Sequence, residues 1–129
     1  MQPSTIMQSA AILATIGLAL AQPPRQAAAS TPVHVMDVVA RKFQFEPPAL
    51  IVSAGEIVRL TIHSDDVVHG FAIPRLNIDV RIPDGREAVT VEFIAPAPGA
   101  YEIVCSKFCG HGHSEMKAVL MSVAPTARQ

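Results

Sequence analysis

The stretch Cys105-Ser106-Lys107-Phe108-Cys109-Gly110-His111-Gly112-His113-Ser114-Glu115-Met116 concentrates the chain's ligand chemistry. It holds both cysteines of the protein, and with them His113 and Met116, in the spacing C-x3-C-x3-H-x2-M. Thiolate, imidazole and thioether together are a soft donor set, the kind that selects copper. Zinc takes thiolate and imidazole readily, but its structural sites use four Cys or His donors and seldom a thioether. A disulfide is the other reading of two cysteines in an exported chain. Across three intervening residues it would close a small ring with awkward geometry, and it leaves His113 and Met116 without a role.

A loop of this kind needs one more imidazole from elsewhere in the fold. His69 is the best candidate: it follows Asp65-Asp66-Val67-Val68, and alternation places it on one face with Phe71 and Ile73, pointing inward at a strand end. A lone inward histidine is ordinarily a satisfied core residue, and the Cys/His/Met loop is what turns His69 into a candidate ligand. His111 lies in the loop but off the ligand spacing and reads as a neighbour of the site. His34 and His63 read as surface residues near strand starts and turns, and Met7, Met36 and Met121 as leader or core residues.

The elements that must position these donors are strands. Val58/Leu60/Ile62, Ile78/Val80/Ile82, Val89/Val91/Phe93 and Tyr101/Ile103/Cys105 alternate with polar or less apolar residues at a period of two. Phe43 and Phe45 form a shorter pair before Pro47-Pro48, and Met116–Val123 is apolar enough to be a final strand buried on both faces. Ser53-Ala54-Gly55, Pro83-Asp84-Gly85 and Pro96-Ala97-Pro98-Gly99 supply turn chemistry between them. No helix-period window follows residue 32. The pattern predicts an all-β fold, a two-sheet antiparallel sandwich with Greek-key connections. The ligand loop sits between two of its strands, where a rigid scaffold can bring donors to one point.

Residues 1–24 carry no charged side chain, and Ile6–Ala21 is mostly apolar, ending in the small-x-small signal Ala19-Leu20-Ala21. Residues 1–21 read as a signal peptide cut after Ala21, although the usual basic start is missing. The rival reading is an uncleaved membrane anchor, for which the segment is short against the roughly 17–25 residues of a span. Both place the domain outside the cytoplasm, in the periplasm or on the outer side of the inner membrane. Residues 22–32 (QPPRQAAASTP) form a flexible linker, residues 33–124 the folded domain, and residues 125–129 a disordered tail. The formal net charge of −1 excludes the basic excess of a nucleic-acid-binding surface. Nucleotide-binding glycine motifs, HExxH and GxSxG are absent. Arg75, Arg81 and Arg86 read as a solvated strand face, with Asp79 and Asp84 weakening any reading as a docking patch.

Over about residues 38–124 the chain resembles the copper A (CuA) domain of cytochrome c oxidase subunit II, a cupredoxin. The resemblance is carried by FQFEPPALIVSAGEIVRL, by DDVVHGFAIP, and by C-x3-C-G-x-x-H-x-x-M downstream of D-x-x-H-x-F. It implies a cupredoxin-like Greek-key sandwich and a binuclear centre of two copper ions. Cys105 and Cys109 would bridge both ions and His69 and His113 would bind one each. Met116 and the backbone carbonyl of Lys107 would be weak ligands. It further implies outer-sphere electron transfer, with no catalysis by this chain alone. Electrons would come from a c-type cytochrome or other donor and leave to a haem-copper oxidase subunit I-like acceptor.

The sequence departs from that family at several points. Lys107 stands where a magnesium-binding Glu is common, and an ammonium cannot bind magnesium. There is no Trp, so the aromatic segment associated with cytochrome docking is missing, and Ala72 occupies a place where a large aromatic is common. The family's two-helix amino-terminal hairpin is reduced to at most one apolar segment. Other readings are a free periplasmic CuA carrier, a copper chaperone or store holding Cu(I) through Cys105, Cys109 and Met116, and a structural zinc or disulfide domain.

Overall fold

The computed structural model describes residues 31–127. The leader or anchor at 1–21 and the linker up to residue 30 lie outside the described residues. Nine strands follow in order: β1 Val33–Arg41, β2 Gln44–Glu46, β3 Ala49–Ser53, β4 Ile57–Ser64, β5 His69–Ile73, β6 Ile78–Ile82, β7 Val89–Ile94, β8 Gly99–Val104 and β9 Lys117–Val123. They form a four-stranded sheet, β2-β1-β4-β7, and a five-stranded sheet, β3-β9-β8-β5-β6. The only helical elements among the described residues are two single 3-10 turns, Pro74–Leu76 and His113–Glu115.

The period-two pattern becomes the core. Val58, Leu60 and Ile62 of β4 are fully buried between the sheets, and Phe71, Ile73, Ile103 and Leu120 face them from the other side. Each such side chain contributes about 1.5–3 kcal/mol of burial free energy. Phe45 and Phe71 meet edge to face at 5.6 Å, pinning β2 onto β5. Ser122 donates to the Pro96 carbonyl and the Tyr101 hydroxyl to that of Ala97, so the Pro-rich turn before β8 is tied to the sheet beneath it.

Two details differ from the sequence-based expectation. The sandwich is mixed rather than antiparallel: β1 runs parallel to β4 and β3 parallel to β9. Alternation marks which face a strand buries but not the direction of its partner. The last strand is not buried on both faces either. Leu120 and Ser122 point inward, while Lys117, Met121 and Val123 are exposed on the outer face.

One end of the five-stranded sheet is built open. β5 and β8 pair at a single position, Ala72 with Val104, so the sheet ladder stops short of the start of β5. The loop from Cys105 to Met116 begins there, close against Gly70. Its base is closed where the Cys105 N–H donates to the Met116 carbonyl (3.1 Å).

Candidate metal centre

Four pieces of chain deliver the donors to the open end: the first residue of β5 (His69), the residue after β8 (Cys105), the loop itself, and the residue before β9 (Met116). The Cys105 and Cys109 sulfurs lie 3.7 Å apart as free thiols. Around Cys105 stand His69 Nδ1 at 3.9 Å and the Lys107 carbonyl at 3.1 Å. Around Cys109 stand His113 Nδ1 at 3.7 Å and Met116 Sδ at 3.9 Å. Each sulfur therefore has one imidazole nitrogen and one weaker donor beside it. His69, Cys105 and Cys109 form a compact buried cluster, their donor atoms within 4.8 Å of one another.

Burial makes the cluster distinctive. His69 and Met116 are fully inaccessible, and Cys105 and Cys109 nearly so. A buried imidazole needs partners. His69 Nε2 lies 2.7 Å from Asp66 Oδ1. Burial works to raise the Asp66 pKa, but N–H donation from Lys42 and Val67 and the contact with His69 outweigh it, bringing it down to about 2. An ionised Asp66 can only accept in this contact, so His69 Nε2–H is the donor and Nδ1 is the ring nitrogen on the side of the sulfurs, an arrangement of the kind that orients metal ligands. At Cys109, burial pushes the thiol up to about 11, with the neighbouring Cys105 and Asp66 adding to the rise. Without a metal the Cys109 thiol stays protonated at neutral pH, and a cation that binds its sulfur must displace that proton.

The loop is held against β5 by a close backbone approach. The Gly70 N–H points at Cys105 Sγ (3.5 Å), and a Cβ at Gly70 would lie 2.7 Å from the Lys107 nitrogen and 2.8 Å from that of Ser106. Ser106 in turn donates to Asp79 on β6. Inside the loop, the 3-10 turn is closed by Glu115 N–H to the Gly112 carbonyl and Met116 N–H to that of His113, and the turn before it by His113 N–H to the Gly110 carbonyl.

The structure therefore brings together the side chains of His69, Cys105, Cys109, His113 and Met116 and the Lys107 carbonyl. The Lys107 side chain is exposed, as is His111, which stays outside the cluster. His34 pairs with Glu56 at the far end of β1, and His63 lies 3.5 Å from Asp65. Arg75 stacks on the Tyr101 ring (4.5 Å) and donates to the Ala100 carbonyl. Sequence reasoning gave no role to Asp66, Gly70 or the Lys42-Phe43 turn. Asp66 had a local signal, standing three residues before His69; the other two contribute through contacts distant in sequence.

The fold and this cluster define a cupredoxin-type β-sandwich carrying thiol, imidazole and thioether donors at one pole. Residues 32–123 match the family of the cytochrome c oxidase subunit II periplasmic domain, and the chain belongs to that family. It is 36% identical over 83 residues to cytochrome c oxidase subunit 2 of Thermus thermophilus, a match covering 64% of this chain and 61% of that protein. The chain thus spans less than two thirds of that relative's length. Among solved structures it is similar to a heme-copper terminal oxidase dimer (27% identity, TM-score 0.63, 70% of this chain and 65% of that one). The periplasmic domain of subunit II of cytochrome oxidase from Bradyrhizobium japonicum shares the fold at 18% identity (TM-score 0.64, 70% of this chain and 84% of that one). No helix among the described residues is long and apolar enough to cross a membrane.

Proposed function

We propose that this chain is an electron-transfer domain holding a binuclear copper centre outside the cytoplasm. In this reading Cys105 and Cys109 would bridge two copper ions, His69 and His113 would bind one each, and Met116 and the Lys107 carbonyl would be weak ligands. The observation that carries the reading is the pairing of donors: two sulfurs 3.7 Å apart, each with its own imidazole Nδ1 and its own weak donor. The donor chemistry fits copper better than zinc, since a fully buried thioether has no place in an ordinary structural zinc site.

When bound, a copper pair bridged by thiolates supplies one-electron redox chemistry with the charge shared between the ions. The chain's own residues make that transfer cheap in reorganisation. Cys105 and Cys109 give up their protons on loading. Asp66 fixes the His69 ring so that Nδ1 needs no reorientation. The core around His69 and Met116 excludes water from the donors.

The electron source is a c-type cytochrome or other one-electron donor, and the acceptor a haem-copper oxidase subunit I-like protein. Position 107 presents an ammonium rather than a carboxylate at the loop surface, which would not hold magnesium at such an interface.

Cys109→Ser tests the assignment. Removing one bridge should leave at most one copper per chain and abolish the spectrum of the pair. Retention of two coppers with the parent spectrum would show that Cys109 does not bridge.

A further inference from the structure

The loop glycines have a use beyond flexibility. Gly112 sits at φ −92°, ψ 12°, a conformation open to any residue. Its reason for being glycine is space. A Cβ there would lie 2.4–2.8 Å from Cδ2, Cγ and Cε2 of Phe43, and one at Gly110 would lie 3.0 Å from the same ring. Phe43, in the turn between β1 and β2, thus lies in close contact with the segment that joins Cys109 to His113. The neighbouring Lys42 N–H donates to Asp66 Oδ2 (2.7 Å), the carboxylate whose other oxygen holds His69. One dipeptide from the four-stranded sheet touches both halves of the cluster.

We infer that Phe43 is a positioning residue for the metal loop. Its ring seats on Gly110 and Gly112 and fixes the spacing between Cys109 and His113, while the Lys42 N–H fixes the carboxylate behind His69. The inference rests on the proposed copper-binding role of the cluster. Phe43 lies outside the buried core and is 37% exposed, so the ring is not needed to fill the sandwich.

A four-way comparison tests it: parent, Phe43→Ala, Gly112→Ala and the double variant, each loaded with copper. The readouts are copper per chain, the visible absorption spectrum, the rate of copper extraction by a chelator, and thermal unfolding of the metal-free protein as a fold control. Gly112→Ala alone should accelerate extraction about 10–100-fold and alter the spectrum, because the new methyl displaces the ring and with it the loop. Phe43→Ala should unfold like the parent and accelerate extraction measurably, by up to about tenfold. The double variant should return to the Phe43→Ala value, since the methyl then enters vacated space. A Gly112→Ala protein indistinguishable from the parent, or a double variant as impaired as Gly112→Ala, would overturn the inference. If Gly112→Ala does not fold, Phe43→Ala decides: faster extraction with parental unfolding supports the role, and an unchanged rate overturns it. Failure of the parent to load copper would instead refute the proposed function.

Discussion

Replacing Gly70 with alanine would place a methyl group where the Cys105–Met116 loop already lies. The new Cβ would meet Ser106 Oγ at 2.1 Å, the Lys107 nitrogen at 2.7 Å and the Ser106 nitrogen at 2.8 Å, whereas ordinary contact begins at 3.4 Å. The Ser106 hydroxyl can rotate away, losing its bond to Asp79. The two backbone nitrogens cannot move singly, so the loop must withdraw by about 0.7 Å, the difference between 3.4 and 2.7 Å. Gly70 lies in a strand without a left-handed φ, so alanine costs nothing in backbone conformation there. Overpacking of this kind costs about 1–3 kcal/mol. For a domain of this size each kcal/mol lowers Tm by about 4–8 °C. Withdrawal also pulls Cys105 Sγ from the Gly70 N–H, so the sulfur that faces His69 moves with the loop. The assay is thermal unfolding of the metal-free, reduced protein, followed by copper titration against a competing chelator. A Tm within about 2 °C of the parent, with unchanged copper affinity, would refute the close-approach account of Gly70.

Two further predictions concern charged groups. Asp66→Ala should weaken copper affinity about 10–100-fold, because nothing then holds the His69 tautomer; competition with a copper chelator measures it, and parental affinity would mean that packing alone orients the ring. At the far end of the sandwich, burial works to raise the Glu56 pKa, but the His34 ring, the Ser53 N–H and the His34 charge together bring it below its ordinary 4.5. A lowered native pKa means that the carboxylate stabilises the fold fully above the ordinary glutamate range, with the contribution lost as pH falls through the native value. Glu56→Gln should therefore lower stability at neutral pH and flatten its decline below about pH 4.5, as read by denaturant unfolding across pH; a parallel decline in both proteins would assign the acid sensitivity elsewhere.

The grouping of the candidate donors was legible because it is written in spacing. Cys105, Cys109, His113 and Met116 fall within one loop, and alternation through Phe71 and Ile73 pointed His69 inward before any fold was known. Val58, Leu60 and Ile62 likewise announced their buried face. What stayed hidden depends on contacts across long stretches of chain. The parallel pairing of β1 with β4 follows from how the chain crosses between layers, which the sequence of either strand does not record. Gly70 and Gly112 look like any other glycines until the Ser106 backbone and the Phe43 ring are found against them. The apolar run of β9 suggested burial on both faces, yet Met121 and Val123 remain on an exposed face, because no further layer covers the five-stranded sheet among the described residues.

The most direct measurement of the central claim is copper counting combined with electron paramagnetic resonance on the copper-loaded protein. The account predicts two coppers per chain sharing one unpaired electron, with hyperfine structure from two equivalent nuclei. A single copper with a one-nucleus pattern, or copper that stays silent as Cu(I) after mild oxidation, would contradict it.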